Sequence, residues 1–289
     1  QHLYKVTAGD FGTEEGEESF YQKNLEVENK VKELGFNGRF LYLNHHDCHA
    51  ASSYFVSEFE EAAVMVVDGI GEFESTTLYK GNGNKLESIQ SLEFPNSLGF
   101  LWEKISKYLG FSEYDACKVM GLASYGDSKV YQNRIRKLID VKEDGTFTID
   151  DTIIQFRNED YSGLESLFGL DKRSEPVRKV GKTTKGHADL AAALQEVTEE
   201  VVIKLARSIK EKTGARNLCL SGGVALNCVA NGKLLEERIF DEVFVQPAAN
   251  DAGTALGATF YIWNQVLDKP REYVFDSACL SAEFSDEEI

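Results

Sequence analysis

Positive charge is scarce in this sequence beside its negative charge. Its 31 Lys and Arg stand against 48 Asp and Glu, a formal net charge of −17 at pH 7. That balance argues against a nucleic acid or an anionic membrane surface as partner, since both need local positive charge. The small basic patch from Lys129 to Lys137 is read as the solvated face of a helix. Cysteines are few and scattered: Cys48, Cys117, Cys219, Cys228 and Cys279 form no C-x-x-C and no disulfide framework. A reducing cytoplasm is therefore expected. No run is long and apolar enough to span a membrane, and no signal peptide is present. Residues 127–185 lack the Pro, Gly and Ser content that would mark a linker between domains. The 289 residues then allow one large domain or two medium ones with sizeable cores. The chain opens on Gln1, and its first residues contain no strand, so it is expected to be part of a longer protein.

What is present alternates helical and strand patterns. Residues 1–19 are polar and acidic and are expected to be irregular. Phe20 to Leu34 reads as a helix stopped by Gly35, and 39–43 as a short strand. Ala62 to Val67 is a continuous apolar run, the mark of a strand buried on both faces. It ends in the acidic, Gly-rich turn Asp68-Gly69-Ile70-Gly71-Glu72. Strands Ser75 to Lys80 and Leu86 to Phe94, joined by Gly81-Asn82-Gly83-Asn84, complete an antiparallel meander. Leu98 to Leu109 is amphipathic, with Phe100, Leu101, Ile105, Tyr108 and Leu109 as core candidates. Residues 127–185 are charged and less regular, with short strands near 146–156 and a loop at 171–186, and are read as an insertion or cap. A long helix from about His187 to Lys212 follows, then strand Asn217 to Leu220 and a helix to about Glu237. Strand Glu242 to Val245 and a last helix over 252–266 complete an α/β order. The tail from Asp268 is polar and acidic.

Chemistry concentrates at one place. Of five histidines in the chain, His45, His46 and His49 fall within five consecutive positions, after a β-like run and before an apolar segment. On a helix His45 and His49 are i and i+4, one turn apart on one face, where two imidazoles can bind one metal ion. The alternative is a polar helix start that Asp47 caps, with solvated histidines. Asp68, at the end of a buried strand, can face a metal or phosphate beside its glycine, or simply sit in a turn. Asp251 can cap the last helix or present its carboxylate to a metal there. Two histidines with one or two aspartates suit Fe(II), and less uniquely Zn or Mn. Ser221-Gly222-Gly223 lies between strand and helix, where backbone N–H groups can cradle phosphate or ribose; tight packing explains two glycines equally well.

Taken together, five segments resemble the O-carbamoyltransferases, the family of the Nod-factor, cephamycin and tobramycin carbamoyltransferases. They are His45-His46-x-x-His49-Ala50-Ala51-Ser52, Val67-Asp68-Gly69-x-Gly71-Glu72, Lys118 to Gly126, Ser221 to Cys228, and Asp251-Ala252-Gly253-x-Ala255-Leu256-Gly257. They run in order over about residues 40–266. The resemblance implies a large domain similar to the tRNA threonylcarbamoyl-transfer enzymes. It also implies the two-lobed actin, sugar-kinase and Hsp70-like (ASKHA) ATPase superfold, here without its first N-terminal segment. On that basis residues 1–267 form a carbamoyl-transfer domain with the insertion near 127–185. Residues 268–289 begin a linker to an absent YrdC-like domain that would make carbamoyladenylate from ATP and carbamoyl phosphate.

The resemblance further assigns His45, His49, Asp68 and Asp251 as metal ligands, with iron expected. Gly222, Gly223, Val224 and Asn227 are assigned to an adenosine-binding loop, and Lys118 to the AMP phosphate. His46, inside the cluster but outside the ligand pair, is a candidate general base or a residue behind the ligands. The implied reaction is carbamoyl transfer to a hydroxyl of a small molecule or glycan. The competing readings are a kinase-like phosphotransferase or ATPase, and a binding fragment without turnover. Paired imidazoles tell against the first, because such enzymes rely on Mg²⁺ and carboxylates. The acidic balance disfavours a tRNA-modifying role.

Overall fold

The computed structural model describes residues 14–278 and 285. The expectations for residues 1–13 and for most of the chain beyond 278 lie outside the described residues.

The first helix, α1 (Glu14–Glu33), starts six residues ahead of the expected Phe20. Glutamate is a good helix former and its charge suits a helix N-terminus, so the acidic run extends the helix. Exposed Glu26–Lys30 and Glu28–Lys32 pairs at 2.8 and 2.6 Å brace its surface. Gly35, at φ +93°, ends it as expected. The strand expected over 39–43 does not form. Leu41 and Tyr42 are exposed, and no neighbouring strand among the described residues takes up their backbone groups. An apolar run becomes a strand only where a ladder partner exists. Instead the segment leads straight into α2 (His45–Tyr54).

The meander forms with small shifts: β1 (Glu61–Val67), β2 (Glu74–Asn82) and β3 (Lys85–Glu93), antiparallel throughout. Helix α3 (Leu98–Tyr108) follows, with Ser97 accepting the Phe100 N–H as its cap, and then α4 (Ala116–Ala123). Leu101, Ile105, Tyr108 and Leu109 are fully buried, whereas Phe100 is half-buried, because its ring lies against the turn at Gly69. The 127–185 stretch is more regular than expected. It holds α5 (Gln132–Leu138), a hairpin of β4 (Ile139–Val141) and β5 (Phe147–Ile149), α6 (Asp151–Ile154) and α7 (Ser162–Phe168). Residues 151–154 are helical rather than strand because the Asp150 carboxylate accepts the Thr152 N–H and caps a turn. Lys129, Arg134 and Lys137 do face solvent, while Tyr131 and Ile135 point inward.

The second half runs α8 (Lys185–Thr213), β6 (Asn217–Ser221), α9 (Cys228–Glu236) and β7 (Glu242–Val245). The expected last helix divides into three: a 3₁₀ turn Asp251–Gly253, α10 (Thr254–Phe260) and a π-helical segment Tyr261–Val266. The sheet order is β3-β2-β1-β6-β7, with β6 and β7 parallel to β1. The fold is mixed α/β. Of the two lobes expected, the described residues show one five-stranded sheet and the β4–β5 hairpin.

The β1 run explains the layering. Its odd residues Ala63, Met65 and Val67 enter the core shared with α3 and α8, while Ala62, Val64 and Val66 pack with α2, Phe260 and Tyr261. Side chains alternate along a strand, so a continuous apolar run serves two faces. The tail is not free where it begins. Arg271 donates to the carbonyls of Tyr54, Ser57 and Phe59 at the end of α2, and the Phe275 N–H donates to Val56. No helix among the described residues is long and apolar enough to cross a membrane.

Helices α2 and α10 meet at Gly257, where an added Cβ would overlap the Cys48 carbonyl oxygen. Gly232, inside α9, has nothing within 4 Å of its would-be Cβ. Gly257→Ala is therefore expected to lose about 1–3 kcal/mol, and Gly232→Ala to gain about 0.4–1 kcal/mol. Urea unfolding of the two variants checks this; equal midpoints would show that the helix contact is not tight.

Candidate metal centre

The site begins with how α2 starts. Asn44, not Asp47, is the cap: its side-chain oxygen accepts the His46 and Asp47 N–H groups at 2.9 and 3.2 Å. The Glu72 carboxylate accepts the His45 N–H at 3.1 Å, so negative charge sits at the helix N-terminus. Asp47 is instead hydrogen-bonded by the Tyr79 hydroxyl at 3.0 Å, and burial raises its carboxyl above the ordinary value. With the helix beginning at His45, His45 and His49 fall one turn apart on the same side.

Strands β1, β6 and β7 are parallel, so their C-terminal ends lie along one edge of the sheet. Asp68 follows β1, Gly222 and Gly223 follow β6, and Asp251 follows β7. The turn at Asp68 is gripped from α3: the Gly99 N–H and the Ser97 hydroxyl donate to its carbonyl, and Ser97 also donates to Gly69 at 2.6 Å. Its carboxylate is divided between two tasks. Oδ1 accepts the Gly223 N–H at 2.8 Å, while Oδ2 lies 3.1 Å from Nε2 of both His45 and His49. Asp251 Oδ1 lies 3.4 and 3.6 Å from the same two nitrogens. All four donor atoms fall within 4.8 Å of one another. His49 is fully buried and Asp68 nearly so; His45 is partly open and Asp251 mostly exposed.

Charge explains the protonation. Burial alone would make His45 a weaker base, yet hydrogen bonds to Asp251 and Asp68 overcome it and carry His45 up to about 10. His49 is raised by the same pair against the same burial. Burial works to raise Asp68, but the two histidines and the Gly223 N–H hold it well below the usual carboxylate range. Asp251 is depressed as well, chiefly by its bonds to His45 and His49. Two imidazole nitrogens 3.1 Å apart would set lone pair against lone pair if both were neutral acceptors. A proton relieves that, and so would a cation. The residues fit a divalent metal, and imidazole with carboxylate suits Fe(II), Zn or Mn.

The other expected residues are placed differently. His46 is wholly buried; its Nδ1 pairs with the Thr77 hydroxyl at 2.7 Å. Lys118 is exposed on α4 and holds Asp115 at 2.7 Å. The Gly223–Leu226 turn is 3₁₀, and Gly222 sits at φ +87° with Val67 so close that no Cβ would fit. Three of the loop's N–H groups have internal acceptors: Gly223 on Asp68, Ala225 on Gly222 and Asn227 on Val224. The Asn227 side chain caps α9 and exchanges hydrogen bonds with Gln195. Sequence reasoning missed Asn44, Glu72, Thr77 and Gln195. Asn44 carried a usable signal, an Asn just before a helical run; the others come from distant positions.

An open cleft of about 400 Å³ has His45 on its wall, along with Leu41, Tyr42, Cys48, Glu72 and Ala258.

Comparison with known proteins gives consistent answers. Residues 10–260 match the family described as "Carbamoyltransferase N-terminus". An uncharacterised protein of Synechocystis sp. is 41% identical over 263 residues, 86% of this chain and 41% of that protein. Nodulation protein NolNO of Sinorhizobium fredii is 38% identical over 236 residues, covering 81% of this chain and 33% of its own length. Nodulation protein NolO of Bradyrhizobium diazoefficiens is 37% identical, covering 81% and 41%. The chain thus spans between 33% and 41% of the length of these curated relatives.

Burial also makes the centre pH-sensitive. It pushes His46 down to about 3 from 6.5. Below pH 6.5 the unfolded chain takes up a proton here that the folded chain refuses, so stability falls as pH drops toward 3. The slope from this one residue is at most about 1.4 kcal/mol per pH unit. In metal-free protein, His46→Gln is expected to show a shallower loss of stability between pH 6 and 4.5, roughly within that window. Parallel urea-unfolding profiles for the two proteins would contradict it.

Proposed function

The chain belongs to the carbamoyltransferase family, and from that premise we propose that it transfers a carbamoyl group from carbamoyladenylate to a hydroxyl of a small molecule or glycan. The observation that carries this reading is the cluster of His45, His49, Asp68 and Asp251 beside the Gly222–Gly223 turn. In this reading the five-stranded sheet is one lobe of the ASKHA superfold, and the donor is formed from ATP and carbamoyl phosphate by a YrdC-like domain.

His45, His49, Asp68 and Asp251 would hold one metal ion, Fe(II) by preference with Zn or Mn as alternatives. When bound, a divalent metal supplies Lewis-acid polarisation of a carbonyl oxygen. The protein's own residues do the rest. Two aspartates lower the net charge of the centre, and Asp68, held on both oxygens, contributes it from a nearly dry position. The adenosine of the donor lies on the Gly222–Asn227 loop, with Val224 beneath it. Lys118 exchanges Asp115 for the AMP phosphate, since an exposed ion pair of this kind is weak. The acceptor enters by the open cleft that has His45 on its wall, none of whose lining residues belongs to the Gly222–Asn227 loop. Its oxygen forms a bond to the carbamoyl carbon, the carbon–oxygen bond to the AMP phosphate breaks with its electron pair leaving on AMP, and the hydroxyl proton passes to water. His46 is wholly buried and tied to Thr77, which suits it to fixing α2 against β2 rather than to meeting the acceptor.

Wild-type protein is expected to bind about one divalent metal and to consume supplied carbamoyladenylate when a hydroxyl acceptor is present. His49→Ala is expected to lose the metal and to slow transfer by roughly 10²–10³-fold. Elemental analysis and release of AMP measure the two separately. Full metal content in His49→Ala would remove the ligand assignment; metal binding with no AMP release in wild type would leave a binding domain without turnover.

A further inference from the structure

The glycine pair after β6 has a role that a nucleotide loop alone does not require. Gly222 adopts φ +87° and lies against the Val67 backbone, so only a residue without a side chain lets β6 end there. That turn delivers the Gly223 N–H to Oδ1 of Asp68 at 2.8 Å. A Cβ at Gly223 would stand 3.0 Å from the same oxygen, and outside the adjoining chain no other heavy atom lies within 4 Å of it. The contact is therefore specific to the carboxylate. It is also buried: Asp68 is 7% exposed.

We propose that the Gly223 amide is a positioning group for the metal centre: by holding Oδ1 of Asp68 it turns Oδ2 alone toward His45 and His49. The proposal rests on the reading of these residues as metal ligands. A carboxylate can bind a metal through one oxygen or both, and rotation about its terminal bond is soft. Asp68 reaches the centre from a strand end, with its two oxygens equivalent until something distinguishes them. A hydrogen bond from a rigid backbone does so, in the way that outer partners orient the ligands of metal sites generally. The donor comes from β6 and the ligand from β1, adjacent parallel strands whose pairing extends to Val66 and Ser221. The register of the sheet thus sets the direction of a ligand oxygen. The Gly-Gly pair is conventionally a feature for ligand approach. Here its second N–H faces inward, to the metal site.

Cobalt(II) titration is the test, because its visible spectrum reports the number and type of ligands as well as affinity. Gly223→Ala keeps the N–H but crowds Oδ1, and is expected to bind cobalt(II) 10–100-fold more weakly with an altered spectrum. Val229→Ala, an exposed change on α9, is expected to match wild type in both. A folded Gly223→Ala with wild-type affinity and spectrum overturns the proposal and leaves the four ligands standing. A wild type that binds no cobalt(II) overturns both. A second measurement needs no variant and so is immune to misfolding. On adding zinc(II) to wild-type protein, the Gly223 amide resonance is expected to shift. If the His45 and His49 ring resonances move while that amide stays fixed, Gly223 does not sense the centre and the proposal fails.

Discussion

Four electron-pair donors gathered round one point repel each other unless a proton or a cation lies among them. His45, His49, Asp68 and Asp251 are held in that state, and much of the surrounding structure resists their separation. Asn44 and Glu72 fix the first turn of α2, Thr77 and Tyr79 tie His46 and Asp47 to β2, and Arg271 binds the carbonyls at the far end. A helix of ten residues is marginal by itself in water. Here both ends and one flank are pinned, so its two ring nitrogens are presented with little freedom.

The sheet supplies the other half of the constraint. Parallel pairing of β1, β6 and β7 brings three chain segments far apart in sequence to one edge, as open α/β sheets do at their ligand sites. Small residues along α2 let α10 approach at Gly257. That contact places the start of α10, and so Asp251, beside the histidines. Packing and site geometry are the same feature seen from two sides: the run Ala50-Ala51-Ser52-Ser53 is buried because α10 and the sheet are close, and their closeness brings His45, His49, Asp68 and Asp251 together.

The family relation and the geometry support each other without being the same kind of statement. Membership rests on a match across residues 10–260. The site rests on the distances among His45, His49, Asp68 and Asp251. The 127–185 stretch shows the limits of local reading. Its charge masked a hairpin and three short helices that are stabilised by contacts with α3 and α8.

By itself the sequence determined the pieces whose cause is local. The continuous apolar run of β1, the turn residues of the meander, the glycine that stops α1 and the i, i+4 spacing of two histidines each follow from neighbouring residues. Sequence also put Asp68 and Asp251 at strand ends, although it left open whether they cap, turn or bind. Tertiary structure brought both carboxylates to the His45 and His49 rings, which no local pattern could show because it depends on distances between segments. It gave the cap of α2 to Asn44 and sent Asp47 to Tyr79, since a buried carboxylate takes the partner that the facing strand offers. It left 39–43 without a strand, since no described strand lies beside it. It turned the Gly223 N–H toward Asp68, because only the pairing of β6 with β1 brings the two within 2.8 Å.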